Sequence, residues 1–151
     1  MKARSIITLF CLPSIYTFNV EAQTKRRRTP VSPPSAAITT PSGLTYLITK
    51  KGTGRQLKAG DTVVLKYTGT LTNGMKFDSS YDRNEPLEFK LGAGRVIKGW
   101  DEGVAKLHVG DHAILVIPGK LAYGPTGISN VIPPDATLLF VIEVVDVKPT
   151  P

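Results

Sequence analysis

The chain has 151 residues, 41% of them hydrophobic and 21% charged, and a net charge of +7. That length gives one domain plus tails, with enough apolar residues for a globular core. The charge is uneven: Lys25-Arg26-Arg27-Arg28 carries +4, while after Arg28 the 13 basic and 11 acidic residues leave only +2, so a nucleic-acid-binding domain surface is not expected.

Met1 to Ala22 reads as a secretory signal peptide. Lys2 and Arg4 form a charged start, Ile6 to Val20 an apolar stretch, and Val20-Glu21-Ala22 a small-residue cleavage site before Gln23. The stretch is short for a membrane span and is interrupted by Pro13, Ser14 and Asn19. Cleavage removes Cys11, the single cysteine, and sends the chain to a periplasm or outside the cell; an uncleaved chain would be cytoplasmic. The cluster Lys25, Arg26, Arg27 and Arg28 opposes translocation. It reads as a solvated tether, able at most to touch an anionic surface weakly. Residues 23–42 form a basic, Pro/Ser/Thr-rich linker that lacks the apolar residues to order itself.

From Leu44 the pattern is that of strands. Leu44 to Lys51 is short and ends at Gly52-Thr53-Gly54. Asp61 to Leu71 alternates, with Val63, Leu65 and Tyr67 on one face and Val64, Lys66 and Thr68 on the other. Asn73-Gly74 before Met75 to Asp78 is a hairpin signal, because both residues tolerate positive φ. Pro86 to Leu91 is a further strand, broken by Gly92-Ala93-Gly94. Ile97, Trp100, Val104 and Leu107 follow helical spacing. Ala113 to Ile117 and Leu138 to Val147 are β-branched strands. The long loop between them, Pro118 to Thr137, carries Tyr123, Ile128, Val131 and Ile132, and its apolar content argues for function. The pattern predicts an α+β domain: a twisted antiparallel sheet of five to six strands wrapped around one short helix.

The sequence Val96-Ile97-Lys98-Gly99-Trp100-Asp101-Glu102-Gly103-Val104 sets a tryptophan between glycines. Glycines let backbone approach an indole closely, which makes the ring the floor of a pocket. Three strings supply walls: Tyr67-Thr68-Gly69, Phe77-Asp78-Ser79-Ser80 and Ala122-Tyr123-Gly124. In this order the motifs resemble an FKBP-type peptidyl-prolyl cis-trans isomerase, from about Gly43 to Lys148. The resemblance implies the fold just described and catalysis of X–Pro bond rotation, assisting the folding of exported proteins. A non-catalytic proline-binding or chaperone module using the same pocket is the alternative. It also implies proline-containing polypeptide substrates, a macrolide (FK506-like) inhibitor, and neither cofactor nor metal.

Carried over by motif, Tyr67, Phe77, Asp78 and Tyr123 are the catalytic candidates. Trp100, Val96, Ile97, Phe89, Phe140, Leu87, Val131 and Ile132 are the substrate-binding ones, with Arg83 pairing with Asp78. Phe89, Phe140 and Val96 taken singly read as core; their occurrence in order around Trp100 makes them a site. As a pocket floor, Trp100 is expected to be partly open, so that its replacement costs binding more than stability. Leu87 stands where the family commonly has an aromatic, which opens one wall. His108 and His112 are four apart, but Gly110 interrupts any helix that could align them on a metal. Gly92 and Gly94 are followed by no phosphate-loop pattern.

Overall fold

The computed structural model describes residues 36–148. The proposed signal segment 1–22 and the basic run Lys25–Arg28 lie outside the described residues. Seven strands and one helix follow in chain order: β1 (Ile38–Thr39), β2 (Thr45–Lys50), β3 (Thr62–Leu71), β4 (Lys76–Ser79), β5 (Leu87–Lys90), α1 (Lys98–Val104), β6 (His112–Ile117) and β7 (Leu138–Lys148). They form one antiparallel sheet in the order β1-β2-β6-β7-β3-β4, with β5 also on β3.

The sheet is α+β as expected, with one strand more than the five to six counted. The extra strand is Ile38–Thr39, inside the expected linker, where Ile38 pairs with Tyr46 and Thr39 with Thr45. Two residues give no periodicity to read, so only the partner strand reveals them. The Ser42 hydroxyl also donates to both Glu102 carboxylate oxygens, at 2.9 and 2.7 Å. Ordered structure thus begins upstream of Gly43.

Alternation in β3 buries Val63, Leu65 and Tyr67. Val64 is buried as well, next to a bulge in the β3–β7 pairing between Val64 and Leu65. The β3–β4 turn differs from the expected one. Only Gly74 has positive φ, at 85°. Its N–H donates to Leu71 O at 2.9 Å, and Leu71 N–H donates to Met75 O at 2.9 Å. This closes a three-residue loop with glycine at the left-handed position, and Asn73 instead accepts from Met75 N–H at 2.9 Å.

The helix stops at Val104, one turn before the spacing suggested. Leu107 remains fully buried because turns closed by Gly103 O and Val104 O carry the chain back onto the core. The glycines flanking Trp100 serve the packing of α1 on the sheet. A methyl group on Gly99 would stand 2.4 Å from Ile117 Cγ2, and one on Gly103 3.0 Å from a Leu115 methyl. They bring the helix backbone down on β6 rather than onto the indole. The core between helix and sheet is built from residues such as Leu44, Val104, Leu107, Leu115, Ile117 and Ile142.

Candidate active site

Trp100 stands where α1 meets β3 and β7. Its ring is edge-on to Tyr67 (5.0 Å, 87°) and to Phe140 (5.1 Å, 85°). Phe77 is in turn edge-on to Phe140 at 5.6 Å. Such T-shaped contacts match ring edges to ring faces, so the four aromatics fix one another. Gly69 makes room for them: a methyl there would lie 2.7 Å from Phe77 Cζ and 2.8 Å from Phe140 Cε1. The box encloses a pocket of about 250 Å³ that Val96, Ile97, Leu87 and Tyr123 complete. Trp100 Nε1–H is buried and finds no acceptor among the described residues. An unmet buried donor costs about 1–3 kcal/mol.

One carboxylate faces this apolar box. Asp78 accepts hydrogen bonds from the Tyr67 hydroxyl and from Arg83 Nη1, while Arg83 Nη2 donates to the Tyr67 hydroxyl at 2.9 Å. Burial pushes the Asp78 carboxyl up, but the bonds from Tyr67 and Arg83 outweigh it and hold the group below its ordinary value. Burial and then the Asp78 charge push the Tyr123 hydroxyl up. Burial and the Asp78 hydrogen bond do the same to Tyr67. At neutral pH the site therefore holds one carboxylate and two protonated phenols. The serines after Asp78 lock this corner: Tyr67 N–H donates to Ser80 Oγ at 2.9 Å, and Ser80 N–H to Tyr67 O at 3.0 Å.

The residues read from the sequence converge, with four exceptions. Tyr67, Phe77, Asp78, Leu87, Val96, Ile97, Trp100, Tyr123 and Phe140 line the pocket. Phe89 sits behind the floor, 7% exposed and 5.8 Å from the Trp100 ring. Arg83 holds Asp78 from behind rather than facing the cavity. Val131 and Ile132 line a separate, larger groove of about 520 Å³ with Met75, Ile128, Pro133 and Pro134. That groove is bigger but carries no charged side chain, and the chemistry belongs to the smaller pocket. Trp100 is only 3% exposed, so it is core and floor at once, against the expected part-open ring. Arg95 also lines the pocket and was not singled out; a charged residue next to Val96 in a glycine-rich loop gives no hydrophobic signal. The histidines separate: His108 lies 3.6 Å from Asp111 and His112 3.9 Å from Glu143.

An aromatic box beside one clamped carboxylate and a phenol donor defines a class of protein: one built to seat a small apolar ring. The comparisons agree. Residues 53–145 match the family model of the FKBP-type peptidyl-prolyl cis-trans isomerase. FK506-binding protein 1 of Candida glabrata is 57% identical over 91 residues, which are 60% of this chain and 80% of that protein. The FKBP-type peptidyl-prolyl cis-trans isomerase FkpA of Escherichia coli is 44% identical over 131 residues, 87% of this chain and 47% of that one. The crystal structure of AtFKBP13 superimposes with a TM-score of 0.71 at 39% identity, covering 74% of this chain and 98% of that one. The chain belongs to the FKBP-type peptidyl-prolyl cis-trans isomerases, enzymes that accelerate rotation about X–Pro bonds.

Proposed function

We propose that Asp78, Tyr123, Tyr67 and Phe77 act on the reacting amide, while Trp100, Val96, Ile97, Leu87 and Phe140 seat the proline ring. The observation that carries this reading is the single ionised carboxylate held at the edge of an aromatic pocket. Rotation about a peptide bond faces a barrier of about 18–20 kcal/mol. The planar amide is polarised by resonance and well hydrated, while the twisted amide has lost that resonance. A water-poor box therefore disfavours the planar form more. The Tyr123 hydroxyl donates to a substrate carbonyl. The Asp78 charge acts on the amide through space, fixed in direction by Tyr67 and Arg83. A rate gain of about 10⁶ needs about 8 kcal/mol, which desolvation and the Tyr123 hydrogen bond can share with binding of the twisted conformer. Arg83 and Phe89 act as supports, and Val131 and Ile132 offer the substrate chain an apolar surface beyond the proline.

The same pocket is proposed to take a macrolide of the FK506 type, with Leu87 weakening that fit on one side. The clients proposed are exported proteins whose folding waits on X–Pro isomers, which take tens to hundreds of seconds to interconvert. The charged-then-apolar pattern of residues 1–22 supports export, and the basic run after it supports a weak, salt-sensitive hold on an anionic surface. Isomerisation of an Ala-Leu-Pro-Phe peptide, with and without FK506, tests the site. Mass spectrometry of the native N-terminus with cell fractionation tests export. A chain starting at Gln23 outside the cytoplasm supports it, and an intact Met1 in the cytoplasm overturns it.

A further inference from the structure

The pocket is lined by two charged side chains, Asp78 and Arg95. Asp78 is ionised, and its carboxylate is already engaged by Arg83 and Tyr67. Arg95 makes no hydrogen bond or ion pair with any described residue. Of the two charged groups on the pocket wall, Arg95 is therefore the one left without a partner among the described residues. Some cations elsewhere on the domain are paired, Arg55 with Asp61, Lys76 with Asp82 and Lys148 with Glu88, but these lie outside the pocket. A guanidinium left without a partner beside an apolar cavity is a recognition element available to a ligand.

The backbone that carries it is fixed. Arg95 follows Gly92 and Gly94, both in the positive-φ region at 75° and 66°. The N–H groups of these glycines donate to the Asp101 carboxylate at 2.9 and 3.1 Å. Asp101 is the residue after Trp100 on α1, so the loop is tied to the turn that sets the pocket floor. Val96 and Ile97, next in the chain, pack against the core. The Arg95 backbone thus stands at a set distance from the seat of the proline. Both Asp101 oxygens are engaged by the loop N–H groups, and no ion pair joins Asp101 to Arg95.

We propose that Arg95 is a specificity-determining residue that favours prolines flanked by an acidic side chain. The inference rests on the isomerase reading of the pocket and adds a substrate class to it. Neighbouring Cα atoms are 3.8 Å apart, so a residue directly before or after a seated proline projects its side chain at the pocket rim. Opposite charges about 8 Å apart in water gain about a twofold preference, and exchanging an acid for a base doubles the free-energy difference, giving about fivefold.

The test uses the full-length protein and protease-free exchange spectroscopy on peptides of one frame, with Glu, Leu or Lys placed directly before or directly after the proline. The expected result is that kcat/KM for a Glu peptide exceeds that for its Lys counterpart about fivefold in at least one of the two positions at low salt. About 0.5 M salt should collapse the ratio toward one. Arg95→Gln should abolish the preference and Arg95→Glu should invert it; the exposed, unpartnered side chain makes both variants compatible with folding. A Glu-to-Lys ratio near one in both positions, or one that Arg95→Glu leaves unchanged, overturns the assignment. The Leu peptide separates the two levels: absence of turnover on it overturns the isomerase reading and the substrate class with it, while normal turnover without charge preference overturns only the role of Arg95.

Discussion

At the scale of single residues, the site depends on what Asp78 and Tyr123 are free to do. Asp78 is already paired, so its work is to hold a charge at a set point. Asp78→Asn should lower kcat/KM on a Leu-Pro peptide about tenfold or more, with the melting temperature nearly kept, because the side chain is 39% exposed. The pH dependence follows from the direction of its shift. The folded group titrates below its ordinary value, so the carboxylate survives down to that lower pH. Its contribution is complete above the unfolded value and is lost as pH falls through the folded one. The rate should be flat from about pH 6 to 8 and fall only in acid; a bell centred on neutrality that moves with His108 or His112 replacement would refute this. Tyr123→Phe removes one donor with no partner lost from the fold, and a net hydrogen bond is worth about 1 kcal/mol. A drop in kcat/KM of about fivefold is expected, and an unchanged rate would remove Tyr123 from the reaction. Trp100 is different. At 3% exposure and in contact with three other rings, Trp100→Leu should cost about 2–4 kcal/mol of stability as well as ligand binding. Chemical denaturation measures the first and proline-peptide affinity the second.

At the scale of elements, strands β2 to β7 and the helix were legible because each carries its own signal: alternation in β3, β-branched runs in β6 and β7, and 3.6-residue spacing around Trp100. What stayed hidden is structure that exists only through a partner. Ile38–Thr39 is a strand because β2 is beside it. Asn73-Gly74 turned with three residues rather than two because the register of β3 on β4 demanded it. The site was legible where a motif held adjacent groups, as in Phe77-Asp78, and less so where loops placed it. Val131 and Ile132 belong to a loop that folds on itself, with Ile128 and Ile132 exchanging backbone hydrogen bonds at 2.8 Å, and it directs them to a neighbouring groove. Arg95 and Asp101 were invisible for the same reason, since their roles come from the Gly92–Gly94 turn. Because Asp101 holds that turn by two N–H groups, Asp101→Ala should free the wall formed by Val96 and Ile97. KM should rise several-fold with a smaller change in kcat. A fall in kcat at constant KM would instead place Asp101 in the reaction itself.

At the scale of the whole molecule, the question is how much chain the enzyme needs. Every residue lining the pocket lies between Tyr67 and Phe140, yet the ordered structure reaches back to Ile38. Ser42 ties the entry of β2 to Glu102 on α1, the helix that carries the pocket floor. Thr39 and Thr45 join β1 to β2 through their hydroxyls at 2.8 Å, and Gly43 N–H closes the turn on Thr40 O at 2.9 Å. A chain begun at Ala36 keeps all of these contacts and should match the full-length protein in melting temperature and in turnover of a short peptide. A chain begun at Gly43 loses β1 and the Ser42–Glu102 bonds. For these few, partly exposed contacts the cost is about 1 kcal/mol, or about 4–8 °C for a domain of this size, while the pocket itself keeps every wall. The shorter chain should therefore melt lower but turn over peptide at close to the full rate. Loss of turnover at a temperature where it is still folded would mean that α1 needs the Ser42 tie to hold Trp100 in place. Equal melting of the two truncated chains would mean that β1 adds nothing to the fold.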